Sequence, residues 1–227
     1  MYFCALMKFV LKVILGFIVL SVLWVLVLKV VPVYYTPLML KRSIENAGDK
    51  SFHTRHKWVP LDKISGNMGK AVISSEDNLF AQHNGFDIKA IHTAIDEHKR
   101  GRRLRGASTI SQQTAKNVFT FGSDTWFRKG VEVYFTFLIE KIWGKKRIME
   151  VYLNVIECGK GIYGVEAASR QFFGKPAEKL TRSEACLIAV CLPNPLKMHP
   201  DRPSAYVLRR QAAILSLSYK VGYPDWL

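Results

Sequence analysis

The middle of the chain reads Gly106-Ala107-Ser108-Thr109-Ile110-Ser111-Gln112-Gln113-Thr114-Ala115-Lys116-Asn117. Helical spacing places Thr109, Gln113 and Lys116 in one stripe. Ser108 and Gln112 lie beside that stripe. The segment is therefore predicted to form a helix whose hydroxyl, amide and ammonium groups face one cleft.

Two glutamates bracket this helix along the chain. Glu76 opens the polar segment 76–85, and Glu132 closes the sequence Arg128-Lys129-Gly130-Val131-Glu132. The chain is otherwise 49% hydrophobic. Polar residues this dense in such a chain favour a functional site over an ordinary solvent-exposed surface.

Two carboxylates across a cleft are the usual apparatus of glycosidic chemistry. Hydrolysis would need only an acid, a base and water. The additional cations Lys116, Arg128 and Lys129 indicate that negative charge is bound or develops, as at a phosphate or pyrophosphate leaving group. This favours glycosyl transfer from a phosphorylated sugar.

The N-terminal part of the chain is a candidate membrane helix. Residues 13–28 carry no charge, and residues 9–31 can span a bilayer with Lys12 and Lys29 snorkelling to its edges. A cleaved signal peptide is the alternative, but the apolar stretch is too long and no small-residue cleavage site follows it. Charge counting leaves the orientation open.

The net charge of +15 indicates an anionic partner. The densest basic run, residues 99–105, resembles a nucleic-acid patch out of context. Beside a membrane anchor, lipid headgroups or a phosphorylated lipid substrate explain the charge more simply, and a solvated loop is the plain alternative. Four cysteines without a C-x-x-C pair indicate buried thiols, with neither a zinc site nor a disulfide framework.

The remaining pattern predicts an all-α protein with poor strand signals. We expect an irregular stalk over residues 36–60, and helices near 65–77, 87–101, 131–142, 147–157, 165–173, 182–192 and 205–218. The glycine segment 159–164 matches G-x-G-x-x-G literally. A dinucleotide site would need a strand before it and another after it, so a turn between two helices is the better interpretation.

At these motifs the sequence resembles the peptidoglycan glycosyltransferases, in particular their monofunctional, membrane-anchored biosynthetic type. The resemblance covers residues 58–227 and rests on strings in the family's order and approximate spacing: Glu76-Asp77-x-x-Phe80-x-x-His83-x-Gly85, Gly106-x-Ser108-Thr109-Ile110-x-Gln112-Gln113-x-x-Lys116-Asn117, Arg128-Lys129-x-x-Glu132, Arg147-Ile148-x-Glu150-x-Tyr152-Leu153-Asn154, Tyr163-Gly164-x-Glu166-Ala167-Ala168 and Leu192-Pro193-Asn194-Pro195.

The resemblance implies a lysozyme-like helical domain that polymerises lipid II into β-1,4 glycan strands. It implies four regions: a short cytoplasmic N-terminus (1–8), a transmembrane helix (9–31), a stalk (32–57) and the catalytic domain (58–227). That domain would face the periplasm from the inner membrane. The expected partners are lipid II, the growing glycan strand, the membrane and other cell-wall synthesis and division proteins, but no nucleic acid.

The family's site residues transfer to matching positions here. Glu76 corresponds to the general base and Glu132 to the second essential glutamate, whose role is less settled. The expected substrate-binding residues are Ser108, Thr109, Gln112, Gln113, Lys116, Asn117, Arg128 and Lys129. No metal-ligand cluster is recognisable, and no cofactor is required. A divalent cation, Mg²⁺ or Mn²⁺, at the pyrophosphate is the open possibility.

Two rival functions stay open at this point: a lysozyme-like hydrolase of finished peptidoglycan, and a non-catalytic membrane scaffold. Several residues also have structural interpretations. Asp77 and His83 are expected to support the loop, Glu150 and Asn154 to bond neighbouring groups, and Glu132 to pair with Arg128. Four aromatic residues suit either core packing or insertion into lipid: Phe119, Phe121, Trp126 and Phe127.

Overall fold

A computed structural model describes residues 2–101, 108–121 and 125–227. These residues form the helices α1 (Tyr2–Val30), α2 (Pro37–Glu45), α3 (Gly66–Glu76), α4 (Ile88–Lys99), α5 (Ile110–Phe119), α6 (Trp126–Ile142), α7 (Gly144–Val155), α8 (Val165–Phe173), α9 (Arg182–Cys191) and α10 (Ala205–Leu217), and the strands β1 (Arg55–His56), β2 (Glu157–Gly159) and β3 (Ile162–Tyr163). The prediction of a mainly helical fold is confirmed. Most of the basic run 99–105, and Gly106 and Ala107 of the central motif, lie outside the described residues.

Helix α1 is long and apolar enough to cross a membrane, with 26 residues of mean hydropathy 2.8 from Ala5 to Val30. Its buried residues, Ser21, Val25 and Leu28, share one face at helical spacing. Three side chains, from α6, from Trp143 between α6 and α7, and from α7, form hydrogen bonds to this part of the helix. Tyr134 hydroxyl lies 2.6 Å from Ser21 Oγ, Trp143 Nε1 donates to Val25 O at 2.7 Å, and Arg147 Nη2 donates to Leu28 O at 2.8 Å. The anchor is therefore docked on the domain.

The expected irregular stalk is wrong over residues 37–45, which form α2. Thr36 caps this helix by accepting from Met39 N–H at 3.2 Å, and Pro37 occupies its first turn, where a missing N–H costs nothing. Met39 is 1% exposed. Nine residues are too short for a convincing period, so packing against α5 decides the conformation.

The core lies where α3 packs on α9, α9 on α10, and α5 on both α6 and α7. Large side chains at these contacts are almost fully buried, among them Ile73, Ile110, Ile139, Tyr152 and Ile188. Each such aliphatic side chain contributes about 1.5–3 kcal/mol on burial. Cys158, Cys186 and Cys191 are buried free thiols, as predicted. This core fixes α3 and α5, which carry the central residues of the candidate site.

Three short strands form a sheet of order β1-β3-β2, in which β3 pairs parallel to β1 and antiparallel to β2. The sequence missed them because two or three residues show no alternation. The glycine segment 159–164 consequently turns between β2 and β3, where a turn between two helices was expected. Because the segment lies in an antiparallel β-hairpin and contains β3 itself, it is no dinucleotide fingerprint.

Gly164 in this segment occupies a position that a residue with a side chain fits poorly, because of both its backbone conformation and its close neighbours. Its φ is +76°, and a Cβ built on it would lie 2.4 Å from Asn154 O. Gly174 has a similar φ of +67° but open space around it. Comparing alanine at the two positions separates backbone strain from steric overlap.

We predict that Gly174→Ala lowers the free energy of unfolding by about 1 kcal/mol, the cost of a left-handed backbone. Gly164→Ala should cost about 3 kcal/mol or more, because overlap adds to the same strain. Thermal unfolding of both full-length variants in detergent measures the difference. Equal melting temperatures would contradict the close packing of Gly164 against α7.

Candidate active site

A cleft of about 1060 Å³ is lined by residues of α2, α3, α5 and α10, and by the segment that follows α9. Five predicted site residues line it: Glu76, Ser108, Gln113, Lys116 and Asn117. They come from the end of α3 and from the start and exposed face of α5. Gln113 and Lys116 of the predicted stripe, and Ser108 beside it, therefore line a cleft that contains the first glutamate, whereas the buried Thr109 and Gln112 are not among the described residues that line it.

Glu76 is the last residue of α3, and its carboxylate accepts two hydrogen bonds. Gln113 Nε2 donates to Oε2 at 3.0 Å, and Ser75 Oγ donates to Oε1 at 3.2 Å. Burial raises the pKa of Glu76, and these two donors and the positive charge of Arg210 partly oppose that rise. The Tyr152 hydroxyl donates to Gln113 Oε1 at 3.3 Å, which points the amide nitrogen at Glu76. The result is a carboxyl group with increased basicity.

Thr109 and Gln112 support α5 from its first turn. Gln112 N–H donates to Thr109 Oγ1 at 3.2 Å, and Thr109 N–H donates to Gln112 Oε1 at 3.1 Å, so the two form a capping box. Thr109 Oγ1 also donates to Gly85 O at 2.6 Å. Their polar groups are thus engaged with the backbone, and they hold the helix that carries Gln113.

Asp77 joins the end of α3 to the start of α5. Its Oδ2 accepts from Ile110 N–H at 3.0 Å, and its Oδ1 lies 2.8 Å from His83 Nε2. His83 Nδ1 accepts from Gly85 N–H at 3.1 Å, which leaves the ring proton on Nε2, facing Asp77. Both residues have the structural role that the sequence predicted.

Glu132 is 2% exposed and lies on the second turn of α6, paired with two predicted cations. Arg128 Nη1 lies 2.8 Å from Oε2, and Lys129 Nζ lies 2.5 Å from Oε1. None of the three is among the described residues that line the cleft beside Glu76. The expected pairing of Glu132 with Arg128 is confirmed, and the carboxylate orients both cations.

The described residues fit a protein-held metal ion poorly. No group of three His, Cys, Asp or Glu side chains within the described ranges could hold one. Both oxygens of Glu132 already face cations.

Sequence reasoning missed several residues that line the cleft. Tyr206 and Arg210 come from α10, Arg42 from α2, and Glu157 from β2. Neither Lys116 nor Arg210 forms an ion pair with another described residue, so both charges are available to a ligand. A basic residue in an amphipathic C-terminal helix gave no local signal of this role, because only tertiary packing brings α10 to the cleft.

Comparison with known proteins places this chain in a family. The family model described as Transglycosylase matches residues 42–218. The chain is 54% identical over 199 residues to the biosynthetic peptidoglycan transglycosylase of Bacteroides thetaiotaomicron, covering 87% of this chain and 80% of the relative. It is 51% identical to that of Bdellovibrio bacteriovorus (92% and 84% covered) and 47% identical to that of Yersinia pseudotuberculosis (94% and 90% covered). The chain belongs to the biosynthetic peptidoglycan transglycosylases.

Two further motif residues of the transglycosylase are structural, as expected. Leu61 N–H donates to Glu150 Oε1 at 3.0 Å. Asn154 Oδ1 accepts from Val59 N–H at 2.9 Å, and its Nδ2 donates to Val59 O at 2.8 Å. Helix α7 therefore fastens the segment that leads into α3.

The aromatic residues near α6 divide into two groups. Phe119 stacks on Phe135 with ring centroids 4.3 Å apart and packs against the core. Phe121, Trp126 and Phe127 are 66%, 94% and 82% exposed. Core packing thus explains Phe119 only. Trp126 and Phe127 are exposed at the start of α6, and Phe121 is exposed just after the end of α5.

We predict that Asp77→Asn lowers the free energy of unfolding by about 2 kcal/mol, because the neutral amide weakens two nearly buried hydrogen bonds. Asp62→Asn, on an exposed residue, is the matched control and should shift stability by less than about 0.5 kcal/mol. Thermal unfolding in detergent measures both. A melting temperature for Asp77→Asn that equals the control's would show that Asp77 does not hold the two helices together.

Proposed function

We propose that this peptidoglycan glycosyltransferase polymerises lipid II into β-1,4 glycan strands, with Glu76 as the general base. The observation that carries the proposal is the half-buried carboxylate of Glu76, whose pKa is raised by desolvation, in a cleft that also holds the available charges of Lys116 and Arg210. A base suits the acceptor hydroxyl, and the cations suit a pyrophosphate.

The reaction follows from these groups. Glu76 takes the proton of the acceptor's 4-hydroxyl while that oxygen attacks the anomeric carbon of the donor sugar. A carbon–oxygen bond forms on one face, and the bond to the lipid pyrophosphate breaks on the other, which inverts the anomeric centre. The raised pKa makes Glu76 a better base than an exposed glutamate, and Gln113 keeps its carboxylate in a fixed orientation.

The leaving-group side needs positive charge, because the departing pyrophosphate gains negative charge. Lys116 and Arg210 line the cleft, and we assign them to this charge. We assign Arg128 and Lys129 to the same charge because they match the family's motif, although they are not among the described residues that line the cleft. Glu132 orients the latter two through its two ion pairs. Ser108 and Asn117 line the same cleft and provide polar contacts to the sugar or phosphate groups.

A lipid-linked substrate requires the cleft to lie near a bilayer. Helix α1 is docked on α6 and α7, the apolar Trp126 and Phe127 are exposed at the start of α6, and Phe121 is exposed after α5. Such side chains suit the membrane interface. We assign the catalytic domain to the periplasmic side of a single-pass inner-membrane protein, where glycan strands are assembled.

Glu76→Gln should reduce kcat for glycan synthesis at least about 10³-fold, because the amide cannot accept the proton. Polymer formation from labelled lipid II by the full-length protein in detergent measures this, with thermal unfolding as a check on the fold. Glu178→Gln, which removes an exposed carboxylate paired with Lys63, is the control and should retain full activity. Unimpaired polymerisation by Glu76→Gln would refute the assignment.

The pH dependence of the reaction tests the role of Gln113. The base acts when deprotonated, so activity falls as pH falls through the pKa of Glu76. Gln113→Leu removes a donor that stabilises the carboxylate, and should therefore raise that pKa further. We expect the acidic limb of the kcat/KM profile to move upward by about one pH unit. An unmoved limb would show that the group titrating in the profile is not Glu76.

A further inference from the structure

Helix α2 forms one wall of the catalytic cleft through Leu38 and Arg42. Glu157 of strand β2 lines the same cleft. Arg42 Nε donates to Glu157 Oε1 at 3.1 Å, and Arg42 Nη2 donates to Glu157 Oε2 at 3.3 Å. The two hydrogen bonds run in parallel, which fixes both the separation and the relative orientation of the two elements.

Arg42 differs from the other cleft cations because its charge is already matched. Besides Glu157, its Nη1 donates to Glu45 Oε2 at 3.0 Å. Lys116 and Arg210 form no ion pair with a described residue. A guanidinium held by two carboxylates is poorly placed to bind a pyrophosphate, so its contact with Glu157 indicates a role in holding the wall.

The position of α2 along the chain makes this wall unusual. Only residues 31–36 separate α2 from the docked anchor, and the buried Thr36 and Met39 fasten it beside α5. The family model begins at residue 42, so most of α2 precedes the matched segment. The wall therefore belongs to the connection between the anchor and the domain.

We propose that Arg42 and Glu157 are positioning residues that hold α2 as a wall of the cleft. The pair holds Leu38 in the wall of the cleft and so affects substrate binding. It does not orient Glu76, whose hydrogen bonds come from Gln113 and Ser75. Since Glu157 has only 11% of its side chain exposed, loss of Arg42 leaves an almost buried carboxylate with no matching charge on that wall.

A double-mutant cycle on the full-length protein tests the pair, with Arg42→Gln, Glu157→Gln and the combined variant assayed on lipid II. Each single change should raise KM about tenfold and change kcat less than about threefold, since contacting charges couple in this range. The combined variant should match the singles, because all three lose the same interaction. The acidic limb of the pH profile should stay in place.

The exposed pair Lys63–Glu178, 3.5 Å apart outside the cleft, provides the matched control. Lys63→Gln and Glu178→Gln should leave KM unchanged. Where a glutamine variant fails to fold, Arg42→Lys keeps the charge but loses the second hydrogen bond, and should give an intermediate rise in KM.

Three outcomes would overturn the proposal. A combined effect of about a hundredfold in KM would show that the two residues act independently, as when Arg42 binds substrate directly. An unchanged KM, or a fall in kcat alone, would show that the Arg42–Glu157 pair does not contribute to substrate binding. The role of Glu76 as the base is tested by kcat of Glu76→Gln, whereas the role of the Arg42–Glu157 pair is tested by KM. Failure of one proposal can therefore be told apart from failure of the other.

Discussion

The carboxylate of Asp77 is the contact on which the rest of the site depends. Helix α3 ends at Glu76, and α5 begins at Ile110, more than thirty residues later in the chain. Asp77 Oδ2 accepts the N–H of Ile110, one of the first-turn donors that a helix leaves unpaired, where the helix dipole also favours a negative charge. The other oxygen is held by His83. One side chain thereby sets the distance between the proposed base and Gln113.

The electrostatics of the cleft follow from which charges are matched within the protein. Arg128 and Lys129 are paired with Glu132, and Arg42 with Glu157 and Glu45. Lys116 and Arg210 have no ion-pair partner among the described residues. A chain of net charge +15 could attract an anionic lipid almost anywhere on its surface. Two cations without a described ion-pair partner, in the same cleft as the half-buried carboxylate of Glu76, are the basis for proposing that a phosphorylated sugar binds there.

The sequence predicted what depends on local pattern. Helical period located the helices that carry the site, and the spacing of Gln113 and Lys116 predicted their common cleft. The sequence could not predict Arg210, because α10 reaches the cleft through its tertiary packing on α9 and α3. It also missed α2 and the short strands, whose few residues show no period. Thr109 and Gln112 carry a capping-box pattern that local reading can recognise, and the structure gives them that role.

The anchor and the cleft are parts of one folded unit. The apolar segment of α1 is about 39 Å long at 1.5 Å per residue, which exceeds the roughly 30 Å hydrocarbon layer of a bilayer. Its docked residues, from Ser21 to Leu28, occupy about 10 Å of the end nearest the domain. In the proposed membrane-anchored arrangement, the contact of Tyr134 with the deeper part of this stretch places α6 at the level of the bilayer edge, on whichever side the domain stands. In that arrangement, the contacts of α1 with α6 and Trp143 would hold the cleft at one height above the lipid surface, whereas an undocked tether would let that height vary.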